Sequence, residues 1–309
     1  IDLEISHRKP NQNRSMRLAN VQEKSQMEAI FSEFKPELVF HAAALKHVPI
    51  VENHPCEGVL TNVEGSRVVA DLCSLHSVNG MVLISTDKAV NPTSVMGTTK
   101  RIAESYCQAL DSINLEKNEN QLCRFITVRF GNVLGSTGSV VPLFEKQLAQ
   151  GGPLTVTDPN ITRYFMTTRE AVELVLQASV MGIKERKTAG DIFILDMGKP
   201  VRILDLAEQV IRLAGKKPYE DINIIFTGLR PGEKLYEELL IGSNVNETSH
   251  EYIMTANEEK ISYSEILSFI DKISNLSYKS SLSDIQKMLN DIVKGYKPSN
   301  KNNIININK

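Results

Sequence analysis

Short runs of apolar residues alternate with segments of helical periodicity along the first half of the chain. The apolar runs predict buried strands over residues 37–44, 81–84 and 124–130. Apolar residues spaced three and four positions apart predict helices over residues 56–76 and 95–114. Strands and helices thus follow one another at the spacing of right-handed crossover units, which predicts an α/β fold with a parallel sheet.

From residue 135 onward the predicted elements are shorter and glycine is more frequent. Over the whole chain, further strands are predicted at 16–21, 154–157, 164–167, 191–196 and 223–226, further helices at 23–34, 169–181, 201–214, 229–238, 263–273 and 282–296, and a loop at 46–55. The change in texture after residue 135 suggests a domain transition. We therefore predict domains over residues 1–150, 151–245 and 246–309, the last a helical extension with a disordered tail.

The composition argues against several functional classes. The chain has 35 basic and 37 acidic residues, and its net charge of −2 provides no general attraction to nucleic acid or an anionic membrane. No apolar run reaches the roughly 18 residues of a membrane span, and the first residues lack a signal-peptide core. We expect a cytoplasmic protein, or one at the cytoplasmic face of the inner membrane in a longer form. The cysteines and histidines form no ligand cluster, so we expect free thiols and no metal.

The clearest chemistry follows the predicted strand at 81–84. A hydroxyl pair, a carboxylate and an amine stand there in sequence as Ser85, Thr86, Asp87 and Lys88, and Lys100 comes in the next helix. The carboxyl ends of parallel strands are where open α/β sheets bind their ligands, so we predict a reactive site there. For any one of these residues, a turn cap or a solvated surface lysine is the alternative.

Several motifs in order carry a resemblance to a known family. They are VFHAAALKHVPIVE (39–52), Asn62 with Gly65, ISTDKAVNPTSVMGTTK (84–100), VRFGNVLGSTGSV (128–140), TRYFMT (162–167) and RPGEK (230–234). Over roughly residues 1–245 the chain resembles the extended short-chain dehydrogenase/reductase superfamily. Within it, the chain is similar to the nucleoside-diphosphate-sugar 4,6-dehydratases of polysaccharide biosynthesis, the large capsular and O-antigen type that acts on UDP-N-acetylglucosamine.

This resemblance implies a Rossmann-like, doubly wound parallel sheet that binds NAD, with a smaller α/β substrate-binding domain. In the family reaction the sugar 4-hydroxyl is oxidised, water is lost across C5 and C6, and the hydride returns to C6. The resemblance implies Thr86 as the hydrogen-bonding group at the 4-oxygen, Asp87 as the acid for the 6-hydroxyl and Lys88 as the base for the C5 proton. We expect burial beside Lys100 and a bound cofactor to help Lys88 lose its proton near neutral pH, by desolvation and like-charge repulsion.

One position departs from the superfamily pattern. Lys100 matches the lysine of the Tyr-x-x-x-Lys motif, but Met96 stands at the tyrosine position. A thioether cannot exchange a proton. Methionine is nevertheless a feature of the large polysaccharide-type subfamily, so Met96 makes the resemblance to that subfamily more specific. The sequence leaves open which group takes the 4-hydroxyl proton.

The resemblance also assigns residues to the two ligands. Cofactor-binding positions are Asn20, Ala43, Ala44, Lys46, Asn62, Ser85 and Lys100, and substrate-binding positions are Asn132, Arg163, Arg230 and Glu233. Arginine suits a UDP diphosphate, although Arg230 and Glu233 are also compatible with an ion pair at a helix start. The family's glycine-rich turn is missing, because the first glycine is Gly58. We therefore expect an amino-terminally truncated chain that lacks the first strands of the sheet.

Three hypotheses follow. The first is a UDP-hexosamine 4,6-dehydratase, the second a sugar-nucleotide 4-epimerase, and the third a catalytically inactive sugar-nucleotide-binding protein. Lys88 favours the first, because an epimerase needs no base at C5, and an adjacent acid and base have no use in a mere binder. By the habit of the superfamily, we expect a homo-oligomer that pairs through the helices at 56–76 and 95–114.

Overall fold

The computed structural model describes residues 14–117, 122–184, 189–240, 245–276 and 282–298. In chain order the strands are β1 (Leu38–His41), β2 (Gly80–Thr86), β3 (Arg124–Phe130), β4 (Asn132–Val133), β5 (Leu154–Val156), β6 (Thr162–Arg163), β7 (Phe165–Met166), β8 (Ile192–Leu195), β9 (Val201–Arg202), β10 (Ile224–Phe226), β11 (Val245–Glu247) and β12 (Ile253–Ala256). The helices are α1 (Lys24–Phe34), α2 (Val48–Asn53), α3 (Pro55–Val59), α4 (Gly65–Leu75), α5 (Val95–Glu116), α6 (Val140–Ala149), α7 (Thr168–Lys184), α8 (Ile203–Leu213), α9 (Tyr263–Leu276) and α10 (Leu282–Ile292). A π-helical turn, Leu60–Glu64, joins α3 to α4.

The main sheet has six strands in the order β1-β2-β3-β8-β12-β11. The first four run parallel, whereas β12 is antiparallel to β8 and β11 is antiparallel to β12. Strands β2 and β3 are apolar along most of their length because helices cover both faces of the sheet. The predicted parallel α/β sheet is confirmed, and an antiparallel pair extends one end of it.

A smaller lobe lies beside this sheet. Strands β5 and β10 pair in parallel, and helices α6 and α8 pack on them. Its core includes the fully buried Phe144, Leu154 and Ile211. The lobe carries Thr155 and Val156 to the cavity described below.

Helices α9 and α10 cover α5, the longest helix of the described chain. Their buried isoleucines Ile266, Ile270 and Ile285 share one core with Ile102 of α5. Together with the sheet, this packing buries α5 from Val95 to Asp111. Pairing of two copies through these helices stays a prediction, and the chain's own helices already occupy that face of α5.

Three local predictions were wrong. Residues 16–21, predicted as a strand, form none, and no described strand pairs with them to accept their hydrogen bonds. The predicted loop at 46–55 contains the short helix α2, which starts with Pro49 in its first turn. The predicted helix at 229–238 is a series of turns, with Gly232 at φ 77°.

Strands from both sides of the predicted domain boundary at residue 150 belong to one sheet. Strands β8, β11 and β12 come from later in the chain, yet they join β3 in one sheet. The assignment of 1–150, 151–245 and 246–309 to separate domains stays a prediction, and the predicted tail beyond residue 298 lies outside the described residues. Within the described ranges, no helix is both long and apolar enough to cross a membrane.

Candidate active site

The carboxyl end of β2 delivers three reactive side chains in a row. Thr86 is the last residue of the strand, and Asp87 and Lys88 lie in a single 3-10 turn that follows it. Helix α5 begins next to this turn, with the Ser94 hydroxyl accepting a hydrogen bond from the Gly97 N–H. A Cβ on Gly97 would lie 2.1 Å from the Lys88 carbonyl oxygen. Glycine at 97 therefore allows α5 to start directly against the reactive turn.

Asp87 is the centre of the hydrogen bonds in this turn. Its Oδ1 accepts from Thr86 Oγ1 at 2.8 Å and from Lys88 Nζ at 2.9 Å. Its Oδ2 is buried and accepts no hydrogen bond, and the side chain is fully enclosed. Lys88 Nζ also donates to Asn132 Oδ1 at 3.2 Å. The predicted acid and the predicted base are thus joined directly, with one carboxylate oxygen left over.

Lys88 keeps its proton in this arrangement. Burial alone would lower the pKa of Lys88, but the carboxylates of Asp87 and Glu237 outweigh burial and raise the pKa above its ordinary value. Glu237 Oε1 lies 3.6 Å from Lys88 Nζ. The expectation that burial beside Lys100 frees the amine near neutral pH was therefore wrong for this state, because two acidic side chains face the ammonium.

Lys100, in contrast to Lys88, has a lowered pKa. Burial lowers the pKa of Lys100 to about 8, and Glu104 opposes this shift only in part. Its Nζ donates to the Ile84 carbonyl oxygen at 2.6 Å. Met96 lies one turn earlier on α5, is 3% exposed and lines the same cavity. The sequence-predicted pair therefore meets at the cavity, with a thioether at the tyrosine position.

A group of charged residues faces Lys88 across the cavity. Arg163 Nη2 donates to Glu233 Oε1 at 3.3 Å, and Glu233 Oε2 accepts from the Arg230 backbone N–H at 3.0 Å. No helix starts at this point, so the alternative of an ion pair at a helix start is excluded. The predicted substrate side is thus assembled with both arginines at one wall of the cavity.

Glu237 is the site residue that the sequence analysis missed. Its side chain is 2% exposed, its Oε1 lies 3.6 Å from both Lys88 Nζ and Arg163 Nε, and its Oε2 is buried without a hydrogen bond. Burial raises the pKa of Glu237, which the charges of Lys88 and Arg163 oppose. Helical periodicity over 229–238 would have predicted which way the Glu237 side chain points. The segment forms turns instead, so this direction could not be predicted from residue spacing. The available signal was a second carboxylate three positions after the RPGEK motif.

One cavity of about 450 Å³ brings most of the predicted residues together. Its walls include Ala44, Lys46, Ser85, Thr86, Lys88, Met96, Lys100, Asn132, Arg163, Arg230 and Glu233. Small side chains that follow β1 line the cavity, and three lysines and two arginines give the lining its positive charge. No cluster of metal-ligating side chains occurs among the described residues.

Three predicted cofactor residues do not line this cavity. Asn20 is exposed, and its Oδ1 accepts from the Gln22 backbone N–H. Ala43 is exposed as well, while its neighbours Ala42 and Ala44 line the cavity. Asn62 is 1% exposed and holds the Leu45 backbone, accepting from its N–H at 2.7 Å and donating to its carbonyl at 3.0 Å. Asn62 therefore does not line the cavity but fixes the backbone of Leu45, which does.

Comparison with known proteins gives a consistent set of relatives. Residues 1–258 match the model of a family described as polysaccharide biosynthesis protein. The chain is 54% identical over 223 residues to a capsular polysaccharide biosynthesis protein of Staphylococcus aureus, which covers 72% of this chain and 35% of that protein. It is 33% identical to a Campylobacter jejuni UDP-N-acetylglucosamine 4,6-dehydratase (inverting), over 84% of this chain and 70% of that enzyme. A UDP-glucose 4-epimerase of Rickettsia canadensis is 41% identical over 66% of this chain and 56% of its own length.

Solved structures agree on the fold. The chain superimposes on the structure of Pen from Bacillus thuringiensis with a TM-score of 0.68 and 30% identity, over 87% of this chain and 85% of that one. It superimposes on a dTDP-glucose 4,6-dehydratase from Streptomyces venezuelae, solved with NAD bound, with a TM-score of 0.66 and 16% identity, over 91% and 86% of the two chains. The fold is therefore that of the Rossmann-type dehydratases and epimerases. The chain spans about a third of the length of the Staphylococcus relative.

Proposed function

Because the chain belongs to the polysaccharide biosynthesis protein family, we propose that it carries the catalytic cavity of a sugar-nucleotide 4,6-dehydratase. The substrate we favour is UDP-N-acetylglucosamine, on which a relative of 33% identity is named to act. The observation that carries the proposal is the direct hydrogen bond between the fully buried Asp87 and the amine of Lys88, a residue that lines a cavity together with both arginines. Elimination of water needs a base for the C5 proton and an acid for the 6-hydroxyl, each within hydrogen-bond reach of the sugar.

The cavity fits the nicotinamide half of NAD. The small Ala44 side chain leaves room for a flat ring, and the Ser85 hydroxyl and the Lys100 ammonium can hold ribose hydroxyls. NAD, when bound, would accept the hydride from sugar C4 and return it to C6. Lys100, Ser85 and Ala44 are the residues that would hold and orient it.

Thr86 and Asp87 form the proposed route for the 4-hydroxyl proton. The hydroxyl of Thr86 already donates to Asp87 Oδ1. When Thr86 Oγ1 receives the sugar proton, it can therefore pass its own hydroxyl proton on to the carboxylate. Asp87 is then the neutral acid that the departing 6-hydroxyl requires. This relay performs the proton transfer that a tyrosine at position 96 would otherwise make, and it explains how methionine is tolerated there.

Lys88 is the proposed base for the C5 proton, and the arginines are the proposed diphosphate ligands. Arg163 and Arg230 offer planar groups that match phosphate oxygens. Glu233 contacts both residues and so holds this wall in place before the ligand arrives. Lys88 lies between this wall and Asp87, within reach of the middle of a bound sugar.

A sugar-nucleotide 4-epimerase is the second candidate. The relative of 41% identity that is named UDP-glucose 4-epimerase favours it. An epimerase moves a hydride at C4 alone and has no use for a base at C5. The same assay separates the two candidates, because an epimer keeps the mass of its substrate.

The test is incubation of a protein that carries this chain with UDP-N-acetylglucosamine and NAD, followed by mass spectrometry of the nucleotide sugar. We expect loss of one water without net formation of NADH. Lys88→Ala should lower the rate by at least about a hundredfold, because general base catalysis typically contributes that much. Lys199→Ala, at an exposed lysine outside the cavity, is the matched control. A new sugar of unchanged mass would establish the epimerase, and an unchanged substrate would contradict both candidates.

A further inference from the structure

Lys88 faces a proton-counting problem in the proposed reaction. It is an ammonium in the resting site, hydrogen-bonded to Asp87 and held charged by two carboxylates. Asp87 receives the 4-hydroxyl proton through Thr86 and must keep it for the leaving 6-hydroxyl. Asp87 therefore cannot also take the proton that Lys88 must lose before it can act on C5. A second acceptor is needed within the site.

Glu237 is the carboxylate in position to be that acceptor. Its Oε1 lies 3.6 Å from Lys88 Nζ, so a shift of well under 1 Å brings the two atoms to hydrogen-bond distance. Its Oε2 is buried and has no hydrogen-bond partner, which is costly for an ionised carboxylate. Protonation of Glu237 would relieve that cost, whereas the same change at a well-bonded carboxylate would break contacts.

We infer that Glu237 holds the Lys88 proton while Lys88 acts as the base, which makes Glu237 a positioning residue that acts through Lys88. This inference rests on the proposed dehydratase function. The charged groups that face Glu237 are Lys88, Asp87, Arg163 and Lys234, and burial raises the pKa of Glu237 despite the three cations among them. Its environment therefore favours the protonated carboxyl more than the surroundings of an exposed glutamate do.

The proton count closes over a full cycle. The 4-hydroxyl proton moves through Thr86 to Asp87, and the Lys88 proton moves to Glu237. Lys88 then takes the C5 proton as Asp87 gives its proton to the 6-hydroxyl, which leaves as water. When the hydride returns to C6, Lys88 gives its proton back to C5, and Glu237 returns the stored proton to Lys88. The enzyme is then back in its resting state and the sugar has lost one water.

The test compares Glu237→Gln with wild type over pH 6 to 9, because glutamine fills the same space but cannot take a proton. Titration of Lys100 near pH 8 affects wild type and variants alike, so each variant's rate is expressed as a ratio to the wild-type rate at the same pH. The variant must release the Lys88 proton to solvent, so its rate relative to wild type should be about a hundredfold lower at pH 7 and rise about tenfold per pH unit. Glu238→Gln, whose side chain is about half exposed and bonded to Asn91, is the matched control and should keep the wild-type profile.

The outcomes separate this inference from the proposed function. If wild type removes no water, the function itself fails. If wild type is active and Glu237→Gln keeps the wild-type pH profile, or is slowed equally at every pH, the role of Glu237 is overturned. Should Glu237→Gln fail to fold, Glu237→Asp decides, because it keeps a carboxylate: a constant ratio to wild type supports the inference and a rising ratio contradicts it.

Discussion

Two clusters of buried charge in this protein differ in how completely they are bonded. The closed cluster consists of Arg101, Glu104, Arg129 and Glu258. Glu104 accepts hydrogen bonds from Ser85 and from both Arg129 and Arg101, and Arg129 is also bonded to both oxygens of Glu258. Every carboxylate oxygen in it has a partner.

The open cluster consists of Asp87, Lys88, Arg163 and Glu237. It contains the same kinds of side chain, but Asp87 Oδ2 and Glu237 Oε2 are buried without partners, and the closest approach to Glu237 Oε1 is 3.6 Å. A saturated cluster ties β3 to α5 and to the segment after β12. An under-bonded cluster beside a cavity has capacity left for protons and ligands, which is consistent with the chemistry proposed for it, whereas the saturated cluster holds the fold.

The largest effect on stability should come from the closed cluster. Charge interactions with Arg129 and Arg101 outweigh burial and lower the pKa of Glu104, so this carboxylate is ionised in the fold. Glu104→Gln leaves Arg129 short of a counter-charge and should reduce the free energy of unfolding by about 3–5 kcal/mol. Urea titration followed by circular dichroism measures it.

Two variants calibrate this comparison. Glu173→Gln breaks an exposed pair with Arg169 on α7 and should cost less than about 1 kcal/mol. Asp87→Asn, in the open cluster, should cost about 1 kcal/mol, because one oxygen of Asp87 is unbonded already. A loss for Asp87→Asn as large as that for Glu104→Gln would mean that the two clusters do not differ in their structural role.

The pH dependence of stability should sharpen the comparison. Burial lowers the pKa of Lys100 to about 8 from an ordinary 10.5, so between these values the unfolded chain binds a proton that the folded chain does not. Stability then rises with pH across this window, by up to about 3 kcal/mol. Arg129, whose pKa is raised further despite burial, stays charged throughout and adds no such dependence.

The measurement is the difference in unfolding free energy between wild type and Lys100→Met from pH 7.5 to 10.5. Methionine fills a similar volume without a titrating group, so contributions from other residues cancel in the difference. We expect the difference to rise in favour of wild type above pH 8. A difference that stays constant with pH would mean that Lys100 keeps its proton in the fold and belongs electrostatically with Arg129.

The sequence allowed the sheet to be predicted well where strands are buried on both faces. The apolar run at 81–84 and the strand at 124–130 appear as β2 and β3, because continuous burial leaves a clear apolar pattern. Residues after a strand were also predictable, since topology brings the carboxyl ends of β2 and β3 to one edge. Thr86, Lys88 and Asn132 accordingly meet at the cavity.

The features that the sequence did not predict depend on tertiary contacts, which leave no periodic pattern in the sequence. The segment around Glu237 turns because Lys234 donates to the Val90 carbonyl oxygen and Glu233 pairs with Arg163. The charge state of Lys88 was predicted wrongly because its pKa depends first on the adjacent Asp87 carboxylate, which accepts its hydrogen bond, and then on Glu237, about 150 positions away in the chain. Local patterns identify the reactive residues, but the balance between burial and charge is set by tertiary neighbours.

Ser85 contacts the closed cluster and also lines the cavity beside the open one. It lines the cavity at the end of β2, yet its hydroxyl donates to Glu104 Oε1 at 2.5 Å, on the closed side. Because that bond goes to an ionised group, Ser85→Ala should lower the free energy of unfolding by about 2 kcal/mol. Ser85→Thr keeps the hydroxyl on a β-branched side chain suited to a strand, so it should restore most of the loss. Calorimetry with NAD completes the test: Ser85 Oγ donates to Glu104 and can still accept from a ribose hydroxyl, so Ser85→Ala should weaken NAD binding as well as stability. Weaker cofactor binding with unchanged stability would instead assign Ser85 to the open cluster.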